Sequence, residues 1–292
     1  HSDDSRVQQA FLRFSKEGKK SITAKSHLDV CYEIERESLT RSLRTSVGLS
    51  SMDITDNCDF IAHKPYNKFS NVCRASGFKA ESNWDWPNFW INVQNELQSK
   101  KTRIVVSRRI NPFSPHTFLN SFFSNELFSP SNQVNVIIEE DPKKAQTLCV
   151  ILNSSVFFAN FFLLKEESTG RFIDIRFYDL YEMKIFPSES DISSLVKVFK
   201  KYGKVKFPPL RNQFDIHFDE RYKEFWEKEK SQVYQQRLFS VLGQLIQPSP
   251  ERLNLDLDVC KALNIKISKD DLIKLYAVFV KEMIIIRHLT RD

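Results

Sequence analysis

The stretch KKAQTLCVILNSSVFFANFFLLKEESTGRFIDIRFYDLYEMKIFP, residues 143–187, decides the fold. Ala145, Leu148, Leu152, Val156, Ala159 and Leu163 recur at three- and four-residue spacing, which predicts one helix lying on a core from Lys143 to about Leu164. Thr169-Gly170 marks a turn. Arg171 to Tyr178 then alternates as a strand, with Ile173, Ile175 and Phe177 on one face and Phe172, Asp174, Arg176 and Tyr178 on the other. A half-apolar strand needs a sheet and a covering layer, so an α+β fold is expected. Asn153, Ser154, Ser155 and Asn160 interrupt the apolar run from Leu148 to Leu164, which argues against a membrane span.

Upstream, between about 48 and 140, short β-branched runs alternate with turn clusters. Thr102-Arg103-Ile104-Val105-Val106 and Val134-Asn135-Val136-Ile137-Ile138 read as strands. Pro112, Pro115 and Pro130 exclude a continuous helix between them. Residues 3–47 mix charged and apolar residues in a helix-like pattern broken at 16–20. Downstream, Phe207-Pro208-Pro209 reads as a stiff linker. Beyond it Leu272, Leu275, Tyr276, Phe279, Met283 and Ile286 form a helical stripe. The expected organisation is a helical lead-in over 1–47, a mixed-sheet domain over 48–190 and a mainly helical C-terminal domain over 191–292. A chain of 292 residues then holds two modest cores rather than one large one.

The net charge is +6 with a pI near 8.9, a mild excess that suits a polyanionic partner. Residues 1–110 hold 18 Lys/Arg against 13 Asp/Glu, residues 111–186 hold 6 against 9, and residues 187–292 hold 19 against 15. The excess therefore flanks a near-neutral, aromatic-rich middle. Five cysteines lack any C-x-x-C spacing, so neither a zinc site nor a disulfide framework is indicated, and a reducing, cytoplasmic setting is expected. No basic-then-apolar leader follows His1, so a signal peptide is not expected. A phosphate-cradling P-loop and a G-x-S-x-G nucleophile elbow are both absent. One constellation points to an enzyme: Asp174 followed by Glu182-Met183-Lys184 is the acid then Glu-x-Lys pattern with which magnesium-dependent nucleases hold metal and orient water. The pattern is permissive, and Ile173 stands where such sites usually place a proline.

The ordered set Leu148-Cys-Val-Ile-Leu-Asn153-Ser154-Ser155-Val-Phe-Phe158, Thr169-Gly170-Arg171, Ile173-Asp174-Ile175-Arg176, Asp179-Leu180 and Pro187 resembles the C-terminal target-recognition region of adenine-specific DNA methyltransferases. These belong to restriction-modification systems, including single-chain type IIS or IIG enzymes. Ser107-Arg108-Arg109-Ile110 and Ser129-Pro130-Ser131-Asn132 also look like that family's strand pair around a long loop. The resemblance covers roughly residues 100–190. It implies that 48–190 is a DNA target-recognition domain and that the partners are double-stranded DNA and an N-terminal methyltransferase domain, in the same polypeptide or on a partner subunit. S-adenosylmethionine would belong to that catalytic domain, with no cofactor in this chain. Consistent with that division, the chain has only six glycines and no G-x-G pair. The Asn/Asp-Pro-Pro-aromatic tetrad that holds a flipped adenine is also absent, since His63-Lys64-Pro65-Tyr66 and Asn111-Pro112-Phe113-Ser114 each lack the second proline.

Candidate DNA contacts follow from residue type and place. Arg171 and Arg176 lie on or beside a polar strand face just after a tight turn, where an arginine fork suits guanine or phosphate. Asp174 offers a competing ion pair to Arg176. Arg103, Arg108 and Arg109 lie on or after a strand, and of the last two only one easily reaches a groove because neighbouring side chains alternate. Lys64, Lys68 and Lys79 sit with Arg74 among Tyr66, Phe69 and Phe78, a basic and aromatic interleaving that reads as a phosphate-facing loop or a solvated face. Trp84, Trp86, Phe89 and Trp90 read as core or as a stacking platform for an extruded base. Asn153 and Ser154 are included as DNA contacts, with hydrogen bonding to a neighbouring strand as their simpler role.

Overall fold

The computed structural model describes residues 13–17, 21–25, 31–35, 39–43, 45–62, 95, 98–130, 133–164, 173–176, 180, 187–216 and 246–289. Its first strands are β1 (Arg13–Glu17), β2 (Ser21–Lys25) and β3 (Cys31–Glu35), an antiparallel three-stranded sheet in the order β1-β2-β3. The helical lead-in expected over 1–47 is therefore corrected. Ser-Ile-Thr-Ala-Lys and Cys-Tyr-Glu-Ile-Glu alternate at period two, and the register sets Ile22 opposite Ile34 and Ala24 opposite Tyr32. Alternation at period two is the strand signature, and it outweighs the weak three- and four-residue spacing in the same segment.

The main sheet has five strands in the order β5-β4-β8-β6-β9: β4 (Leu39–Leu43), β5 (Asp59–Ala62), β6 (Thr102–Ser107), β8 (Ser121–Pro130) and β9 (Val134–Ile137). β6 pairs antiparallel with β8 on one side and with β9 on the other. β4 runs parallel to β8, setting Ser42 beside Ser129, which makes the sheet mixed. In β6, Thr102 and Ile104 to Ser107 are all buried, so the β-branched run is enclosed on both faces. Two further short strands, β7 (Arg109–Ile110) and β10 (Ile173–Asp174), pair antiparallel with each other.

Helix α1 (Pro142–Leu152) begins where Asp141 accepts from the backbone N–H of Lys143 at 2.7 Å and of Lys144 at 3.3 Å, with Pro142 in the first position. This is the preferred chemistry of a helix start. Instead of one helix to Leu164, α1 stops and α2 (Ser155–Leu164) starts anew, because Asn153 and Ser154 spend their side chains on other bonds. The remaining helices are α3 (Glu189–Tyr202), α4 (Leu210–Gln213), α5 (Pro250–Ala262) and α6 (Lys269–Leu289). Leu272, Tyr276, Phe279 and Met283 of α6 are buried and Leu275 half-buried, so the stripe faces the core.

The fold is α+β. Buried apolar residues from Leu43 to Ile175 and from Leu195 to Met283 form one cluster, where two cores are expected from the sequence. Phe207-Pro208-Pro209 is not a linker over solvent. Phe207 is buried, its N–H donates to Ser50 O at 2.8 Å, and Leu210 N–H donates to Thr117 O at 2.8 Å. The aromatic payload of Phe207 gains more from burial than a spacer gains from exposure. No helix among the described residues is long and apolar enough to cross a membrane.

Candidate functional site

β7 and β10 bring together residues that are about 65 positions apart. Arg109 faces Asp174 and Ile110 faces Ile173, and Ile175 N–H donates to Arg108 O at 2.9 Å. Ile110, Ile173 and Ile175 are buried, which seats the strand pair on the core. Asn135 Nδ2 on β9 donates to Ile175 O at 2.7 Å and ties the pair to the main sheet. Arg108, Arg109 and Arg176 are all exposed. The pairing therefore brings three of the predicted cations near one another along the backbone, Arg109 within β7 and Arg108 and Arg176 just beyond the strand ends.

Asp174 pairs with Arg109 rather than with Arg176. Arg109 Nε lies 2.6 Å from Oδ1 and Nη2 lies 3.4 Å from Oδ2, a two-point bond of the kind a guanidinium and a carboxylate make edge to edge. The hydrogen bond that Arg109 donates to Asp174, and then the charge of that carboxylate, push the Arg109 guanidinium above its ordinary value. As a nuclease acid, Asp174 would have to exchange this arginine for a cation. Its sequence partners Glu182 and Lys184 lie outside the described residues.

Arg103 has a different role. It is half-buried at the opposite end of β6, where Nε donates to Glu140 O at 2.6 Å and Nη1 donates to Asn125 O. Its fork closes two backbone carbonyls of the surrounding strands and loops. Arg171, Lys64, Lys68 and Lys79 lie outside the described residues, as does the aromatic cluster from Trp84 to Trp90.

Asn153 and Ser154 are corrected: both are buried, at 1% and 0% exposure, and neither is presented to a ligand. Asn153 Oδ1 accepts from Asn120 N–H at 2.8 Å and Ser121 N–H at 3.2 Å, while Nδ2 donates to Ser121 O at 2.8 Å and Cys149 O at 2.9 Å. The side-chain amide thus stands in for a neighbouring strand at the start of β8, because buried backbone groups need partners. Ser154 Oγ donates to Ile151 O at 2.7 Å.

A second buried polar group meets the same break between α1 and α2. Arg252, on α5, donates through Nε at 2.9 Å and Nη2 at 2.5 Å to Gln213 Oε1, and through Nη1 to the backbone carbonyl of Asn153. Gln213 Nε2 donates in turn to Phe118 O and Pro208 O, both at 2.6 Å. Asp256, one turn along from Arg252, accepts from Ser155 N–H at 2.8 Å and from Tyr276 Oη at 2.7 Å. A carboxylate at the first N–H of α2 is favoured by the helix dipole. Burial pushes the Asp256 carboxyl above its ordinary range against the opposing pull of Arg252, Tyr276 and Ser155, and burial beside Asp256 raises the Tyr276 hydroxyl. The Arg252 guanidinium lies 5.2 Å from the Phe214 ring centre and about as near to Phe158 and Phe207. Sequence reasoning passed over this group. Its signal is that Arg252 and Asp256 occupy the same i, i+4 stripe as Leu255, Val259 and Cys260, the core-facing one.

The buried cysteines are inert by environment: burial pushes the Cys149 thiol well above its ordinary range and, with Asp256 nearby, that of Cys260 up to about 11.

No family model matches this chain, and no curated protein and no solved structure matches it either.

Proposed function

We propose that this chain is the sequence-reading half of an adenine-specific DNA methyltransferase of a restriction-modification system, in the cytoplasm. It positions a duplex site for a catalytic domain that lies outside these 292 residues. That domain, upstream in the same polypeptide or on a partner subunit, supplies the S-adenosylmethionine site. The single observation that carries the reading is the pairing of β7 with β10, which brings exposed Arg109 together with exposed Arg108 and Arg176 just beyond the strand ends. Cations contact phosphate oxygens and paired donors contact base edges, and antiparallel β-ribbons are among the elements that enter a major groove. Support from the sequence is the ordered motif set over 148–187 without the catalytic tetrad.

The test is the affinity of the chain for duplex DNA across a range of salt. Phosphate contacts release counterions, so the logarithm of the affinity falls linearly with the logarithm of salt concentration. A clear negative slope is expected. A chain that fails to bind duplex DNA even at low ionic strength overturns the proposal.

A further inference from the structure

We infer that Arg109 and Asp174 act as one reading unit for a G·C base pair in the major groove, with Arg109 donating to guanine and Asp174 accepting from cytosine. This inference rests on the DNA-reading function proposed above and names the base pair that the strand pair selects.

The chemistry begins with the order of donors and acceptors. Across the major groove a G·C pair presents two acceptors, N7 and O6 of guanine, and then one donor, the N4 amino group of cytosine. An A·T pair presents acceptor, donor, acceptor and a methyl group. The complement of G·C is two donors beside one acceptor, which is what a guanidinium docked against a carboxylate offers. Arg109 gives Nε and Nη2 to Asp174, and this contact along one edge of the guanidinium sets the plane of the whole fork. Arg109 makes a further interaction in the unbound chain, and on this inference its remaining guanidinium N–H groups exchange it for guanine. The carboxylate accepts these two bonds with its Oδ1 and Oδ2 and has roughly four lone-pair sites in all, so it keeps acceptor capacity for an amino group beside the arginine.

The placement fits that use. The pair is fixed by strand register, since Arg109 and Asp174 are direct partners across β7 and β10. The side chains of Arg109 and Asp174 are 60% and 40% exposed, open enough to meet a base edge. An ion pair this exposed adds little to folding, so stability does not account for it. Arg108 and Arg176 are also exposed, and on this inference they supply the phosphate contacts that set register without reading sequence.

The experiment is selection of binding sites from a randomised duplex library by the full 292-residue chain, followed by affinity measurements on the selected site. Wild type is compared with Asp174→Asn and Arg109→Lys, each checked for an unchanged thermal midpoint. Wild type is expected to select a site with a G·C pair at one position. Both variants are expected to lose preference at that position alone and to bind the selected site roughly tenfold or more weakly, the scale of one lost bidentate base contact. Binding to unrelated duplex at low salt is measured for each protein as its own reference, so that the loss at the selected site is read as the ratio of the two affinities. If wild type binds duplex but both variants select the same site with the same preferences, the reading unit is overturned while DNA binding stands. Binding by wild type without base preference overturns it equally. If wild type binds no duplex, the proposed function fails first and this inference falls with it.

Discussion

Arg252 donates through Nη1 to the backbone carbonyl of Asn153, 99 residues upstream, with both residues buried. That bond joins the C-terminal helices to the break between α1 and α2. From there the bonds continue, since Asn153 Oδ1 holds Asn120 N–H and Asn120 O accepts from Ser107 N–H at 2.6 Å. Ser107 immediately precedes Arg108, so the residues that position the exposed strand pair trace back to α5.

Removing Arg252 leaves Asp256, at 0% exposure, without its counter-charge, and strips Gln213 Oε1 and Asn153 O of their donor. Breaking a buried pair from one side costs about 3–5 kcal/mol. Arg252→Ala is therefore expected to lose a large share of the roughly 5–15 kcal/mol typical of a folded domain. Arg252→Lys, which keeps the charge and loses the fork, is expected to fall between the two. Urea denaturation followed by circular dichroism measures both, and a loss for Arg252→Ala below about 1 kcal/mol, the scale of an exposed pair, contradicts the arrangement.

Asn153 and Ser154 are adjacent and equally buried, yet their truncations are expected to differ. Asn153→Ala removes the side-chain acceptor of the Asn120 and Ser121 N–H groups and leaves the Ser121 carbonyl the weaker Cys149 thiol as a donor. Each buried group left unpaired costs about 1–3 kcal/mol. Ser154→Ala removes one hydroxyl donor to a carbonyl within the same helix end and is expected to cost about 1 kcal/mol. The comparison of unfolding midpoints decides it: equal effects would mean that the amide does not substitute for a strand.

How much of this was legible in the sequence depended on whether the governing contact is local. The β-branched run at 102–106 and the stripe of Leu272, Tyr276, Phe279 and Met283 each show their periodicity within a few residues, and both meet the core as expected. The inward Ile173 and Ile175 with outward Asp174 and Arg176 were readable for the same reason. The Arg109 to Asp174 pairing was not, because it depends on a register between strands 65 residues apart that no local pattern encodes. Within 13–35, period two and a weak helical spacing coexist, and the register of Ile22 with Ile34 resolves the ambiguity only in three dimensions. Arg252 and Asp256 look like ordinary surface charges until Asn153, Gln213 and Tyr276 are brought to them.

Arg108 and Arg103 separate the proposed function from simple basicity. If Arg108 and Arg176 contact phosphates, Arg108→Ala and Arg176→Ala are each expected to reduce the salt dependence of DNA affinity by about one counterion. Arg103 is committed to the carbonyls of Glu140 and Asn125. Arg103→Ala is expected to leave the salt slope unchanged and to lower thermal stability instead. Fluorescence anisotropy on a labelled duplex at several salt concentrations reads the slopes, and a steeper or equal change for Arg103→Ala speaks against the assignment.

The start of α1 has a pH dependence whose sign follows from its bonds. The N–H groups of Lys143 and then Lys144 hold the Asp141 carboxyl below its ordinary range, outweighing a small opposing effect of burial. A carboxyl lowered on folding releases its proton more readily in the native chain. Its contribution is therefore fully present above the unfolded value of about 3.9 and is lost as pH falls through the lower native value. At neutral pH, Asp141→Ala is expected to cost about 1 kcal/mol, the usual loss for an N-cap. The gap between wild type and Asp141→Ala is expected to hold from neutral pH down to about pH 4 and to narrow below it, as protonation removes the charge–dipole part of the cap. Urea midpoints for the two proteins at a series of pH values test this, and a gap that widens on acidification would reverse the assigned direction.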